Sequence, residues 1–363
     1  MPTAPAVLLF LGLLAFVGAN PLQPHGLTVS IAGPTAVTTI ADLELTAHVT
    51  NTGPQSIKIL KYSTVLDDLP TRSFAVTKDN TDVEFLGIKA SAISGDATFV
   101  TIGAGETVTI QHKVASLYDF SGAGTGSYTF IPITSFQVVS ESTGNLQASA
   151  IPTFLPVEAS STSHLVHISG TLVDERALGK RVSFQTCADP TKLTFMNAAY
   201  KDTNELAYFG LLYILTYGGV TSEYLAYLEH TGDSANVMHF SSDSDSLWCS
   251  MSCTDDHGAC GNGVIAYTWI ATKNIYFCPL FFTEVPSTTL CQGDDFSNRD
   301  IRGGTVLREV CGRLFIFSNY GCALDTTLPD NRVDRNADNY NCFSTLIYQR
   351  YYCTRTGPFV GVP

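Results

Sequence analysis

The chain has 363 residues, 45% of them hydrophobic, enough for a sizeable core and long enough that two domains are the expectation rather than one. A net charge of −13 and a pI near 4.9 argue against nucleic acid or an anionic membrane surface as partners and suit a protein that works in acidic surroundings. All ten cysteines lie in the second half, from Cys187 to Cys353. An even number in an exported chain reads as disulfides rather than a metal–thiolate cluster.

Residues Ala4 to Ala19 form an apolar run too short for a membrane span, ending in Val17-Gly18-Ala19 before Asn20-Pro21. This reads as a signal peptide, residues 1–19, although no Lys or Arg precedes the run. No later segment is long and apolar enough to span a bilayer. The protein is therefore expected to be secreted.

From Leu27 to about Pro156 the pattern has period two and is rich in Val, Ile, Thr and Phe. Leu43 to Thr50 alternates and Asn51-Thr-Gly-Pro turns; Val108 to Val114 alternates again, and Gly126 to Pro132 follows a glycine-rich turn. Short strands at such spacing predict an antiparallel β-sandwich of immunoglobulin-like type over residues 20–156. His48 and His112 lie within strand patterns and are read as sheet residues. Residues 157–181 turn Ser-rich and polar and are expected to be a linker. It ends in Lys180-Arg181, a dibasic pair of the kind cut by processing proteases late in secretion. Residues 20–181 then form a propeptide and 182–363 the mature domain.

Phe195 to Leu228 is Leu-, Tyr- and Ala-rich with a Gly218-Gly219 break, predicting two helices. A strand pair is expected around Cys249–Cys253 and Val264 to Trp269, then an aromatic strand from Ile275 into Pro279. Val306, Leu307, Val310, Cys311 and Leu314 fall at helical spacing and predict a helix from about Thr305 to Phe317. Asp300 is its possible cap, and Asn319 and Gly321 are its stop signals. A last helix is expected over about Asn339 to Tyr351. Helices beside a small sheet make this half α+β.

The predicted helix over Thr305–Phe317 carries Arg308-Glu309-Val310-Cys311-Gly312. A zinc protease places His-Glu-x-x-His in such a helix, two imidazoles one turn apart with the Glu as general base. Here the Glu stands alone, and by itself a lone Glu on an amphipathic helix is a solvated residue. Further segments give it context: Val264-Ile-Ala-Tyr, Ile275-Tyr-Phe-Cys-Pro-Leu-Phe-Phe, Gly304-Thr-Val-Leu-Arg-Glu and Asn336-Ala-Asp-Asn-Tyr-Asn-Cys-Phe-Ser344. In order and spacing they resemble the deuterolysin, or aspzincin, family of fungal secreted zinc metalloendopeptidases, most of all its peptidyl-lysine branch. The N-terminal half, with Val49-Thr-Asn-Thr-Gly53, resembles that branch's propeptide.

The resemblance implies a zincin-like domain whose zinc is held by two His and by an Asp of a following Gly-Thr-x-Asp. This chain has Arg308 and Gly312 at the His positions, and Asp325 stands one residue late in Gly321-Cys-Ala-Leu-Asp325. Glu309 keeps the general-base position. The family's Tyr beyond the Asp has no counterpart in Thr326-Thr-Leu-Pro329. Of two carboxylates that the resemblance assigns to recognition of a substrate lysine, one matches Asp338 and the other falls at Asn341. It also implies the disulfides Cys187–Cys249 and Cys253–Cys278; the other six cysteines have no assigned connectivity.

Zinc requires three protein ligands and an open fourth position; a fixed Arg308 repels the ion and pairs instead with a carboxylate. Zinc is therefore expected by family and not expected to bind here. His230, His239 and His257 are the histidines of the mature half, and only His257, within Cys253-Thr-Asp-Asp-His-Gly-Ala-Cys260, has ligand-type neighbours. A disulfide-tethered acidic loop is the preferred reading of that segment. No Gly-x-Ser-x-Gly occurs. Two functions follow: an inactive homologue that binds protein or peptide in the old cleft, or an active secreted metalloendopeptidase with non-standard ligands. Oligomeric state is not legible.

Overall fold

The computed structural model describes residues 26–62, 64–92, 98–140, 153–172, 187–228, 250–261, 263–296, 300–312, 321–326, 328, 333 and 336–356. The signal-peptide run, the pair Lys180–Arg181, His230, His239 and Cys249 lie outside them, as do the expected helix end at 313–317 and the stop signal Asn319. Among the described residues no helix is long and apolar enough to cross a membrane. The architecture is mixed α+β: sheets occupy the N-terminal half, and helices with one further sheet occupy the C-terminal half.

Alternation builds the N-terminal half as expected. In Glu44–Asn51, Leu45, Ala47, Val49 and Asn51 are buried while the residues between them are less so. This strand lies between Leu27–Ala32 and Thr107–Lys113. A second sheet runs Ala36–Thr39, His164–Thr171, Gly126–Pro132, Phe74–Lys78, Thr81–Asp82, and a third runs Thr153–Glu158, Ser135–Ser140, Ile57–Leu60, Phe99–Ile102. Leu45, Ile59, Val76, Phe130, Phe136 and Ile168 meet in one core. The turn after Asn51 has a specific cause: Gly53 N donates to Asn51 Oδ1 at 2.9 Å, an Asx turn. His48 and His112 are sheet residues, and His112 is buried edge-on to Phe74.

The linker reading fails over its first part. Thr153–Glu158 and His164–Thr171 are strands, the latter pairing with Gly126–Pro132 on one side and Ala36–Thr39 on the other. Serine-rich composition masked a short alternation in which Val166 and Ile168 are buried and Leu165 is exposed.

In the C-terminal half a helix spans Pro190–Tyr217. Asp189 caps it, its carboxylate accepting from Thr191 N and Lys192 N, and Pro190 sits in the first turn, where its missing N–H costs nothing. Gly218, at φ 69°, ends it, and a second helix follows over Ser222–Leu228. The central helix is Arg302–Gly312, starting one turn earlier than expected. It fits between two cores: Val306 and Val310 pack with Phe277 and Phe281, Leu307 with Phe343 and Tyr340. Gly303 and Gly304 permit that fit. A Cβ at 303 would meet the Asp202 side chain at 2.7 Å, and one at 304 would meet Asn341 Oδ1 at 2.5 Å. The last helix, Ala337–Ile347, continues into a wider π-type turn, Tyr348–Tyr352.

The sheet beside the central helix departs from the expected pairing. Met251–Ser252 pairs in parallel with Asn274–Phe277, not with Val264–Trp269. Asn274–Phe277 pairs antiparallel with Val264–Trp269, and the outer neighbour of Val264–Trp269 is Ile88–Ala92 from the N-terminal half. The aromatic strand stops at Phe277, because Pro279 can donate no ladder bond and opens a 3₁₀ turn, Pro279–Thr283.

Among the described residues the disulfides are Cys187–Cys253, Cys260–Cys278, Cys291–Cys353 and Cys322–Cys342. These overturn both expected pairings. Register explains why: Met251 faces Ile275 and Ser252 faces Tyr276, so the next step sets Cys253 beside Phe277. Cys278, one residue further, points to the opposite face. Accordingly Cys187 and Cys253 pack with Phe277, while Cys260 and Cys278 pack with Tyr267 and Tyr276.

Candidate functional site

The site is built on three supports: the central helix, the last helix and the strand Val264–Trp269. Glu309 lies on the central helix and is buried, not solvated as its type alone suggests. The Ser91 hydroxyl donates to Oε1, and the Thr268 hydroxyl donates to Oε2 at 2.5 Å. Burial pushes the Glu309 carboxyl above its ordinary range. The Ser91 and Thr268 hydrogen bonds, then the Arg308 and Lys89 charges, act in the opposite direction.

Arg308 is also buried and turns toward the last helix. Its Nε lies 3.6 Å from Asp338 Oδ1, an ion pair between side chains 10% and 4% exposed. Asp338 is held by two further groups: Gly321 N donates to Oδ2 at 2.8 Å, and Asn341 Nδ2 donates to Oδ1 at 3.1 Å. The two positions matched to lysine recognition thus come together, with Arg308 supplying a cation from within the chain. The disulfide Cys322–Cys342 fastens the short helical turn Cys322–Asp325 to the last helix. This brings Asp325 into the same cluster, where Asn336 Nδ2 donates to its Oδ1 at 2.9 Å. Burial, reinforced by the neighbouring Asp338 charge, pushes the Asp325 carboxyl well above the usual range; Arg308 opposes this.

Gly312 ends the described part of the central helix and has no side chain to offer. Among the described residues one group has the composition of a metal site, Asp325, Asp338 and Cys342, with ligand atoms within 4.8 Å of one another. Cys342 is consumed in a disulfide, so its sulfur is no thiolate. Two carboxylates remain, one beside a guanidinium and both already accepting hydrogen bonds. Zinc requires three protein ligands, and these residues do not fit it. His257 is no alternative. It stacks on Trp269 with ring centroids 3.8 Å apart, and its Nε2 lies 3.2 Å from Tyr276 Oη. Asp255 organises its loop, accepting from Ala259 N, Cys260 N and Tyr267 Oη.

Sequence reading missed Ser91, Lys89 and Thr268. Thr268 left a faint signal as a polar residue in the apolar run Val264–Trp269. Ser91 left none, because it is 218 positions from Glu309.

The chain is 26% identical to a peptidyl-Lys metalloendopeptidase of Armillaria mellea over 340 residues, covering 88% of this chain and 91% of that protein. It is 27% identical to a neutral protease 2 homolog of Pyricularia oryzae over 318 residues, covering 84% and 88%. A peptidyl-Lys metalloendopeptidase of Grifola frondosa is 25% identical over 362 residues, covering 90% and 94%. Residues 10–351, spanning both halves and every segment of the site, match the deuterolysin metalloprotease family, M35, and the chain belongs to that family.

Proposed function

We propose that this protein is a secreted deuterolysin-family homologue that has exchanged its metal centre for a fixed internal cation and acts by binding protein or peptide. In this reading the N-terminal half is an immunoglobulin-like prodomain and the C-terminal half a zincin-like domain released by cleavage after Arg181. One observation carries it: the Arg308 guanidinium, at the position the resemblance assigns to the family's first zinc ligand, is buried and paired with Asp338. A guanidinium keeps its proton at any physiological pH and has no lone pair to offer a metal. With no metal, nothing lowers the pKa of an attacking water toward about 7. Glu309, already holding two hydroxyl donors, has no hydroxide to generate. The same cation occupies Asp338, so a lysine side chain has no free carboxylate to meet there. Loss of that charge selectivity suits a binding cleft better than a lysine-specific one.

Metal analysis of the purified, folded protein tests this directly. Less than stoichiometric zinc is expected, with no peptidase activity that responds to chelator. Zinc at one per chain, with activity lost on Glu309→Gln, would instead establish the second reading, an active metalloendopeptidase with non-standard ligands. Restoration gives a complementary check. Arg308→His with Gly312→His rebuilds two ligands one turn apart and relieves a helix cost of about a few tenths of a kcal/mol at position 312. The double variant is expected to bind zinc weakly through Asp325, and more tightly when Leu324→Asp is added.

A further inference from the structure

Ile88–Ala92 belongs by sequence to the N-terminal half, yet it completes the sheet of the C-terminal half. It pairs antiparallel with Val264–Trp269, Ser91 facing Ala266, Ala90 facing Tyr267 and Lys89 facing Thr268. Strand alternation divides its side chains between two faces. Ile88 and Ala90 pack with Val264, Tyr267, Tyr276 and Cys278. Lys89 and Ser91 are buried on the other face, toward Glu309, and the Ser91 hydroxyl bonds the Glu309 carboxylate. Flanking backbone bonds reinforce the seat: Ile270 N donates to Gly87 O at 2.9 Å, while Ile88 N donates to Pro70 O at 3.0 Å and so holds the strand to its own half.

This is how an extended peptide is captured at a sheet edge: main-chain pairing along the strand, with alternate side chains read by pockets. We propose that the Val264–Trp269 edge and Glu309 form a peptide-docking site which the intact chain fills with its own Ile88–Ala92 segment, anchored by Ser91. The proposal rests on the peptide-binding reading above and names the ligand: an extended segment with a small hydroxyl residue facing Glu309 and a cation two residues before it. Thr268 keeps its hydrogen bond to Glu309 Oε2 when the strand leaves, but Oε1 loses the Ser91 hydroxyl, and a buried carboxylate oxygen is costly to leave without its donor. The strand therefore stays seated after the connection between the halves is cut, until a competing peptide takes the edge.

The test uses the full chain with residues 173–181 replaced by the recognition site of a specific protease. After cutting, the two pieces are expected to co-elute in size exclusion. Ser91→Ala is expected to speed their separation about tenfold or more, and Ser91→Asp, which sets carboxylate against carboxylate, further still. A fluorescent peptide with the sequence of residues 87–92 should bind the cut Ser91→Asp protein and not the uncut chain. Melting of each uncut variant checks that it folds; if Ser91→Asp does not, Ser91→Ala carries the peptide comparison as well. Immediate separation of the unsubstituted pieces, an unchanged rate in Ser91→Ala, or equal peptide binding to the uncut chain would overturn the proposal. Metal content is read on the same samples. Zinc-loaded protein whose pieces stay together would remove the inactive-homologue reading and leave the docking site standing.

Discussion

Arg308 shows how much a single buried cation decides about the groups around it. Asp338 and Asn341 lie in the first turn of the last helix with Asp325 close by, and the Arg308 guanidinium lies beside Asp338. Two charges this well buried gain little net stability from each other, but removing one strands the other. Arg308→Ala is therefore expected to destabilise the fold by about 3–5 kcal/mol, and the double change Arg308→Ala with Asp338→Asn by much less. Urea denaturation of the four proteins of this cycle measures the difference. Equal losses in the single and double variants would show that Arg308 stabilises by packing alone. That Arg308 and Gly312 stand beside Glu309 in place of a His-Glu-x-x-His pattern is legible in the sequence. The partner of Arg308 is not, since Arg308 and Asp338 meet only when two helices pack.

Among the elements, the second helix and the π-type turn are joined by a buried acid. Glu223 accepts from Arg350 Nη1 at 2.6 Å, from Tyr351 Oη at 2.8 Å and from Tyr213 Oη at 3.1 Å. Burial alone would raise its carboxyl. The hydrogen bonds from Tyr351, the backbone, Arg350 and Ser222 outweigh it together and bring the value down to about 2. The sign follows from linkage: a depressed carboxyl contributes stability above its unfolded value of 4.5, lost as pH falls toward about 2. The melting temperature should drop across that window, and Glu223→Gln should be less stable at pH 7 with a flatter acid limb. A parallel acid limb in the two proteins would refute the assignment. Elements with a clear period were read correctly, among them the two helices broken at Gly218-Gly219 and the alternating Leu43–Thr50. Those that failed did so for nameable reasons: strand order within the small sheet is set by non-local pairing, and His164–Thr171 hid its alternation in polar composition.

At the scale of the whole molecule, the proposed cut after Arg181 makes a prediction about how the protein is made. If it occurs, Lys180→Ala with Arg181→Ala should yield a secreted species heavier by the mass of residues 20–181, which intact mass spectrometry of culture medium would show. Wild-type protein secreted with its N-terminus near Asn20 would contradict it.

The shared sheet bears finally on how the chain is synthesised and folds. The N-terminal half leaves the ribosome first and can finish its own core before Val264–Trp269 exists. When that apolar strand emerges, one side pairs with Asn274–Phe277 and the other meets a ready template in Ile88–Ala92. Without the template the strand Val-Ile-Ala-Tyr-Thr-Trp is an open edge of the kind that joins chain to chain. Residues 182–363 produced alone should therefore accumulate as aggregate. Supplying residues 20–181 as a separate polypeptide during refolding should raise the soluble yield, and the same polypeptide carrying Ala90→Pro should not. The N-terminal half would then serve as a folding catalyst consumed once per molecule.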